Sequence, residues 1–270
     1  MMLPHPVTGE EFGSPVAPGT GWPDDPAGPR TAVARDADDV RRLARTDDLA
    51  ELDARVSVCA ACPRLVQWRE DVAVAKRASF ADQPYWGRPI PGWGDPDPSL
   101  LIVGLAPAAN GGNRTGRIFT GDPSADWLFA SLHRTGWASQ PTSEHAGDGQ
   151  RLLGARMIAT VRCAPPENKP TALERDTCAP WIAAELTLLP SVRAVVALGS
   201  FGWDGAVRSL VAAGAPAPER RPRFGHGAEV ALGPVTLLGC YHPSPHNTYT
   251  GRLTREMTDE VFERARALTQ

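Results

Sequence analysis

The chain has 270 residues, 42% of them hydrophobic, which suits one domain with a sizeable core, or one domain with a tail. Its net charge of −3 hides a division: residues 1–53 hold 11 acidic and 5 basic side chains, and the remainder hold 20 and 23. A mildly basic body follows an acidic leader, so a nucleic-acid partner is permitted without being demanded. No apolar run is long enough to span a bilayer, and the opening MMLPHPVTGEEFGSP lacks the basic start and apolar stretch of a signal peptide. The expected location is the cytoplasm, where five cysteines point to metal or catalysis before disulfides.

In chain order, residues 1–35 carry many Pro, Gly and Asp residues without periodicity and read as a flexible or loosely docked leader. Residues 36–270 then read as a single domain. DADDVRRLA offers an Asp N-cap, and LAELDARVSVCAACPRLVQWRE continues at helical spacing. FADQPYWGRPIPGWGDPDP, over 80–98, is dense in turn formers and aromatics and reads as a long ordered loop. Four apolar runs follow as buried strands: SLLIVGLA (99–106), RMIATVRC (156–163), VRAVVALG (192–199) and VTLLGCYH (235–242). Amphipathic segments alternate with them, beginning DPSADWLF, TALERDTC, SFGWDGAV and TREMTDEV. That alternation predicts an α/β fold with a parallel sheet covered on both faces.

Each strand empties into an unusual loop: GLAPAANGGNRTGRIFTGD, CAPPENKP, GSFGW and YHPSPHN. Ligands of open α/β sheets bind outside the carboxyl ends of the strands, so these loops predict one shared polar site. The first loop is neither a Walker A sequence nor GxGxxG. Arg114 and Arg117 within it are suited to phosphate or carboxylate. Phe119 reads either as a core plug or as a stacking platform for a flat ligand, and Asp122, on capping grounds, as the N-cap of the next helix. The cysteines are spaced Cys59-x2-Cys62 and Cys163-x14-Cys178, with Cys240 inside an apolar strand as a core bystander. Four such thiols suit a metal centre. The split second pair leans towards [4Fe–4S] and leaves zinc open.

Together, GLAPAANGGNRTGRIFTGD, CAPPENKP, the four spaced cysteines, YWGRPIPGWGD, CPRLVQWRE and HPSPHNTYTGRL resemble family 5 (type B) uracil-DNA glycosylases, over residues about 55 to 267. The resemblance implies a three-layer α/β/α sandwich around a four-stranded parallel sheet. It implies a structural [4Fe–4S] cluster held by Cys59, Cys62, Cys163 and Cys178. It implies monofunctional hydrolysis of the N-glycosidic bond of uracil, with hypoxanthine and some modified pyrimidines also accepted, in double-stranded DNA. By that resemblance Gly104, Ala106 and Phe119 border the base, Asn168 reads its edge, and His242 stabilises its departing anion. Ala106 stands where stricter relatives carry Asp or Asn, so Asp122 is the first candidate for handling water or the sugar cation, and Asn113 the second. Ser244, Pro245, His246 and Asn247 match the loop that presses into the duplex, and Arg252 is placed at backbone phosphate, with Arg114 and Arg117 as further DNA contacts. Asn110 departs from a position where the family often has His. A monomer is expected, and contacts of the leader with other repair proteins stay open. The missing carboxylate at Ala106 keeps one alternative alive, a non-catalytic iron–sulfur module that binds damaged DNA.

Overall fold

The computed structural model describes residues 1–270. A small hairpin, β1 (Leu3–Pro4) and β2 (Glu11–Phe12), opens the chain. Helices α1 (Ala37–Leu43), α2 (Leu49–Ser57) and α3 (Pro63–Ala75) follow. Asp36 caps α1 through Asp39 N at 2.8 Å, and Asp48 caps α2 through Ala50 N at 2.8 Å. The predicted helical stretch is broken after Ser57 because Pro63 starts a new helix, with Cys62 at its N-cap. Cys59 and Cys62 therefore lie in the joint between two helices.

The main sheet contains β3 (Trp93–Gly94), β4 (Leu100–Gly104), β5 (Ala155–Ala159), β6 (Ala194–Leu198), β7 (Glu229–Leu232) and β8 (Val235–Cys240), in the order β3-β5-β4-β6-β8-β7. The inner four strands, β5, β4, β6 and β8, are parallel and coincide with the four apolar runs. Antiparallel edges, β3 on β5 and β7 on β8, make the sheet six-stranded. Every residue of β4, β5 and β6 is buried, which is why these strands read as continuous apolar runs without alternation.

Helices α4 (Gly112–Thr115), α5 (Pro123–Arg134), α6 (Ala172–Thr187), α7 (Gly199–Ala212), α8 (Pro245–Tyr249) and α9 (Arg255–Thr269) fill the connections. Along β4, Leu100 and Ile102 join a core with Leu128, Phe129 and Phe262 of α5 and α9. Leu101 and Val103 face Ile182, Trp203 and Leu210 of α6 and α7 on the other side. The three-layer sandwich follows from that alternation. No helix is long and apolar enough to cross a membrane.

The leader, expected as flexible or loosely docked, is packed against the body. Phe12, Val16 and Trp22 are buried in the same core as Leu100 and Phe129. Asp25 makes a double ion pair with buried Arg88, at 2.9 and 2.9 Å. These anchors are irregularly spaced along a Pro-rich path. They bury apolar area without any helix or strand period, so periodicity does not register them.

Candidate active site and thiol cradle

The carboxyl ends of β4, β5, β6 and β8 deliver their four loops to one cleft of about 520 Å³, within the roughly 300–1,000 Å³ typical of small-ligand sites. Ala106, Phe119, Asp122, Asn168, His242 and Arg252 all line it. Ser244, Pro245 and Asn247 form one wall, while His246 is exposed and lies outside the lining.

Phe119 sits at a φ of 46°, a left-handed conformation uncommon for any residue with a bulky side chain. Its ring lies 6.0 Å from the His242 ring, centroid to centroid, inclined at 39°. Gly104 permits this pose, since a Cβ there would stand 2.7 Å from two ring atoms of Phe119. Asn168 is exposed at the cleft mouth, also left-handed with a φ of 56°, which Asn tolerates better than most residues.

Asp122 combines both of its readings. Its Oδ1 caps α5, accepting from Ser124 N at 2.9 Å and Ala125 N at 3.0 Å. The other oxygen, Oδ2, packs against Gly111, where any Cβ would collide with it. Burial raises the carboxyl pKa, opposed by the two backbone N–H groups and by Arg114. His242 is desolvated, which pushes its pKa down to about 4, so the imidazole is neutral at physiological pH. Its turn is stiff: Ser244 N donates to the His242 carbonyl at 2.8 Å, and Asn247 Nδ2 donates to the same oxygen at 2.8 Å.

Three expected site residues point elsewhere. Asn113 is fully buried and donates through Nδ2 to the Arg69 carbonyl at 3.1 Å, so it ties α4 to α3 rather than facing the cleft. Arg114 is buried, bonded to the carbonyls of Asn110 and Gly121 at 2.9 Å each, and stacked 4.0 Å over Phe80. Arg117 is 2% exposed and paired with Asp148 at 2.5 Å, with Ser143 and Thr120 completing its bonds. Neither arginine can meet phosphate. Both hold the glycine-rich loop from within, because its tight turns leave their long side chains nearer to interior acceptors than to solvent. Arg252, by contrast, is exposed and lies 4.7 Å over the Tyr241 ring at the cleft rim. Asn110 accepts from Tyr85 Oη at 3.0 Å behind the loop.

Sequence reasoning missed Phe201, which is 56% exposed on the cleft rim, and the apolar wall of Leu198, Phe224 and Tyr241. The signal was present for Phe201, since GSFGW was noted as an unusual loop, but a lone aromatic there carries no direction.

The four spaced cysteines meet in a second, smaller cavity, lined also by Leu65, Val161, Arg69, Arg162 and Trp181. Cys240 is apart, fully buried in β8, as its strand position suggested. Burial and the neighbouring Cys163 and Cys59 push the Cys62 thiol up to about 12, and burial raises Cys178 as well. No three His, Cys, Asp or Glu side chains converge as ligands of a single ion. The thiols line a cavity instead of closing on one point. Around it, buried donors have no oxygen or nitrogen acceptor in the chain: Nε of Arg69, Nε and Nη1 of Arg162, and Nε1 of Trp181, which faces the Cys59 thiol. Unpaired buried donors are uncommon, and this cluster beside four thiols, with Trp181 directed at one of them, fits a resident anionic group with acceptor atoms of its own.

Residues 91–266 match the model of the Uracil DNA glycosylase superfamily, a span that includes the main sheet and all four cleft loops. The chain is 58% identical over 267 residues, 98% of each chain, to the Type-5 uracil-DNA glycosylase of Mycobacterium bovis. It is 50% identical over 214 residues to that of Thermus thermophilus, covering 79% of this chain and 94% of the relative. With that of Pyrobaculum aerophilum the identity is 45% over 213 residues, covering 79% and 90%. The chain belongs to the uracil-DNA glycosylase superfamily, in its type-5 branch.

Proposed function

We propose that the chain is a monofunctional DNA glycosylase that flips uracil out of double-stranded DNA and hydrolyses its N-glycosidic bond, with hypoxanthine and some modified pyrimidines as further substrates. Membership of the family makes it a hydrolase of N-glycosyl bonds in DNA repair. The observation that carries the finer reading is the meeting of Phe119, Asn168, Asp122 and His242 around one cleft.

A base in a duplex is out of reach, so the nucleotide must leave the stack. The stiff wall from Ser244 to Asn247 is suited to fill the gap, because little ordering entropy is lost on insertion. His246 is exposed at the tip of that turn, free to press into the duplex. Arg252 then meets backbone phosphate. Inside the cleft, the face of Phe119 receives the base, and the Asn168 amide both donates to and accepts from an imide edge. As the bond lengthens, charge develops on the base and on the sugar. A neutral His242 still carries one ring N–H with which to donate to the base anion. Asp122 Oδ2 holds the attacking water or faces the sugar cation, its partner oxygen fixed by the helix cap. Ala106 offers no carboxylate, so this work falls to Asp122, and Asn113 is withdrawn from it by its bond to Arg69.

Cys59, Cys62, Cys163 and Cys178 hold a [4Fe–4S] cluster, whose contribution is structural, tying the joint of α2 and α3 to β5 and α6. Four thiols around one cavity, with cationic donors beside them, support this reading. The enzyme works as a cytoplasmic monomer on duplex DNA. Residues 36–270 form the glycosylase domain, with the leader docked on it.

The direct test incubates purified protein with duplexes carrying single uracil, hypoxanthine or thymine lesions, followed by alkali. Alkali-labile breaks at uracil are expected, with weaker breaks at hypoxanthine. Tight binding to uracil duplexes without breaks would instead establish a damage-binding module, the reading that Ala106 keeps open.

A further inference from the structure

We infer that Arg69, Arg162 and Trp181 are a built-in donor set that neutralises the iron–sulfur cluster and protects it from oxidative loss. This rests on the reading of the four cysteines as cluster ligands.

The donors belong to three side chains that are 4%, 1% and 1% exposed, all three line the cysteine cavity, and Trp181 faces the Cys59 thiol. Arg69 already directs Nη1 at Cys163 Sγ, 3.0 Å away, and at the Cys59 carbonyl, also 3.0 Å away. It thus holds two of the proposed ligand residues at once.

The charge balance singles out the same residue. Arg162 has a buried counter-ion in Glu185, which Arg156 shares, and Asp53 completes that network. Arg69 has no such partner. Its nearest carboxylate, Glu70, is 3.8 Å away and 47% exposed. A buried guanidinium without a buried counter-ion is strongly disfavoured. Four thiolates around an iron–sulfur core carry net negative charge, which Arg69 is placed to offset.

N–H groups and positive charge aimed at cluster sulfurs favour the more reduced state, because that state is the more negative one. Removing an electron from the resting cluster is made harder by the same interactions. Oxidation is the usual first step of cluster loss, so the donor set slows it. Neither effect requires the cluster to take part in base removal.

The experiment uses intact purified protein and two variants, Arg69→Met and Trp181→Phe, with Arg69→Lys as the conservative control. Trp181→Phe removes one N–H and keeps most of the ring volume. Each protein is titrated with ferricyanide, which takes one electron from the cluster and becomes ferrocyanide. The midpoint potential and the rate of loss of visible absorbance are recorded. Arg69→Met should show a lower potential and several-fold faster bleaching, Trp181→Phe a smaller change of the same sign, and Arg69→Lys a value near the parent. If Arg69→Met does not fold, Trp181→Phe and Arg69→Lys decide the matter alone. Equal potentials and bleaching rates across folded, iron-loaded variants would overturn the inference. Iron and acid-labile sulfide in the parent protein separate the two levels: their absence defeats the cluster reading itself, whereas their presence with unchanged variants defeats only the donor set.

Discussion

The cleft and the thiol cradle both hold side-chain donors with no partner in the chain, yet the two are built differently. In the cleft, the His242 ring opens onto about 520 Å³ that solvent can enter. Water serves such groups until a substrate displaces it, so they cost little while waiting. In the cradle, Arg69, Arg162 and Trp181 are sealed in. Each unserved donor there costs about 1–3 kcal/mol, more when charged, a cost that a resident acceptor of the proposed kind offsets. The accessible groups suit a transient ligand, and on the proposed reading the buried set beside the thiols suits a resident one.

The strongest challenge to that distinction is Cys178→Ser. A cradle that serves the fold should lose cluster iron, soluble yield and melting temperature together, before lesion preference changes. Iron content, a thermal melt and the ratio of uracil to hypoxanthine cleavage measure all three. A stable, iron-free, fully active Cys178→Ser protein would dissolve the contrast between resident and transient sites. His242→Ala is its mirror image. Deleting one preorganised donor to a developing anion typically costs about 10²–10³ in rate, or about 2.7–4 kcal/mol. The melting temperature should stay close to the parent's, since no hydrogen bond to the ring is lost. Single-turnover cleavage of a uracil duplex reads the first quantity, and unchanged turnover would remove His242 from the chemistry.

The arginines extend the comparison to the loop and its rim. Arg117→Ala removes the guanidinium that binds Asp148, Ser143 and Thr120, while Asp148 keeps three backbone N–H donors, so the loss should be about 1–3 kcal/mol. Urea unfolding should show that loss, while the salt dependence of DNA binding in the surviving folded fraction stays the same. Arg252→Ala should do the reverse. It should leave stability within about 0.5 kcal/mol and lower the slope of log affinity against log salt by about one. A salt slope that changes in Arg117→Ala would return that residue to the DNA surface.

How far the sequence displayed all this depends on the kind of signal. The four parallel strands were legible because burial on both faces leaves unbroken apolar runs such as LLIVG. The edges β3 and β7 were not, being two and four residues long and partly exposed. Cysteine spacing singled out Cys59, Cys62, Cys163 and Cys178, and all four line one cavity. Arg114 and Arg117 misled because composition reports a charge without its direction, and the Asp148 that claims Arg117 lies 31 residues away. Trp22 and Phe12 escaped for a related reason: docking by isolated anchors leaves no period to detect.

The smallest effect near neutral pH contrasts the cleft histidine with two interior ones. Burial lowers His5 to about 4 and His145 to about 3, with their mutual proximity, 4.3 Å between ring centroids, adding to His145. His242 stands at about 4. The ordinary value for each is 6.5. Above it, folded and unfolded chains carry the same neutral rings and these groups leave stability flat. Below it, the unfolded chain takes up protons that the folded chain refuses, so stability falls with pH until the folded values are reached. Each such ring contributes at most about 1.4 kcal/mol per pH unit in that window. His145→Phe removes one of them, and neither ring nitrogen of His145 has a hydrogen-bond partner to lose. Urea unfolding at pH 7.5, 6 and 5, as roughly spaced points across that window, should give a shallower acid limb for the variant and nearly equal stability at the top of the range. Cleavage activity should not follow the same curve, because His242 stays neutral until the pH nears 4. Parallel acid limbs in parent and variant would show that the leader's His5–His145 contact is not proton-sensitive.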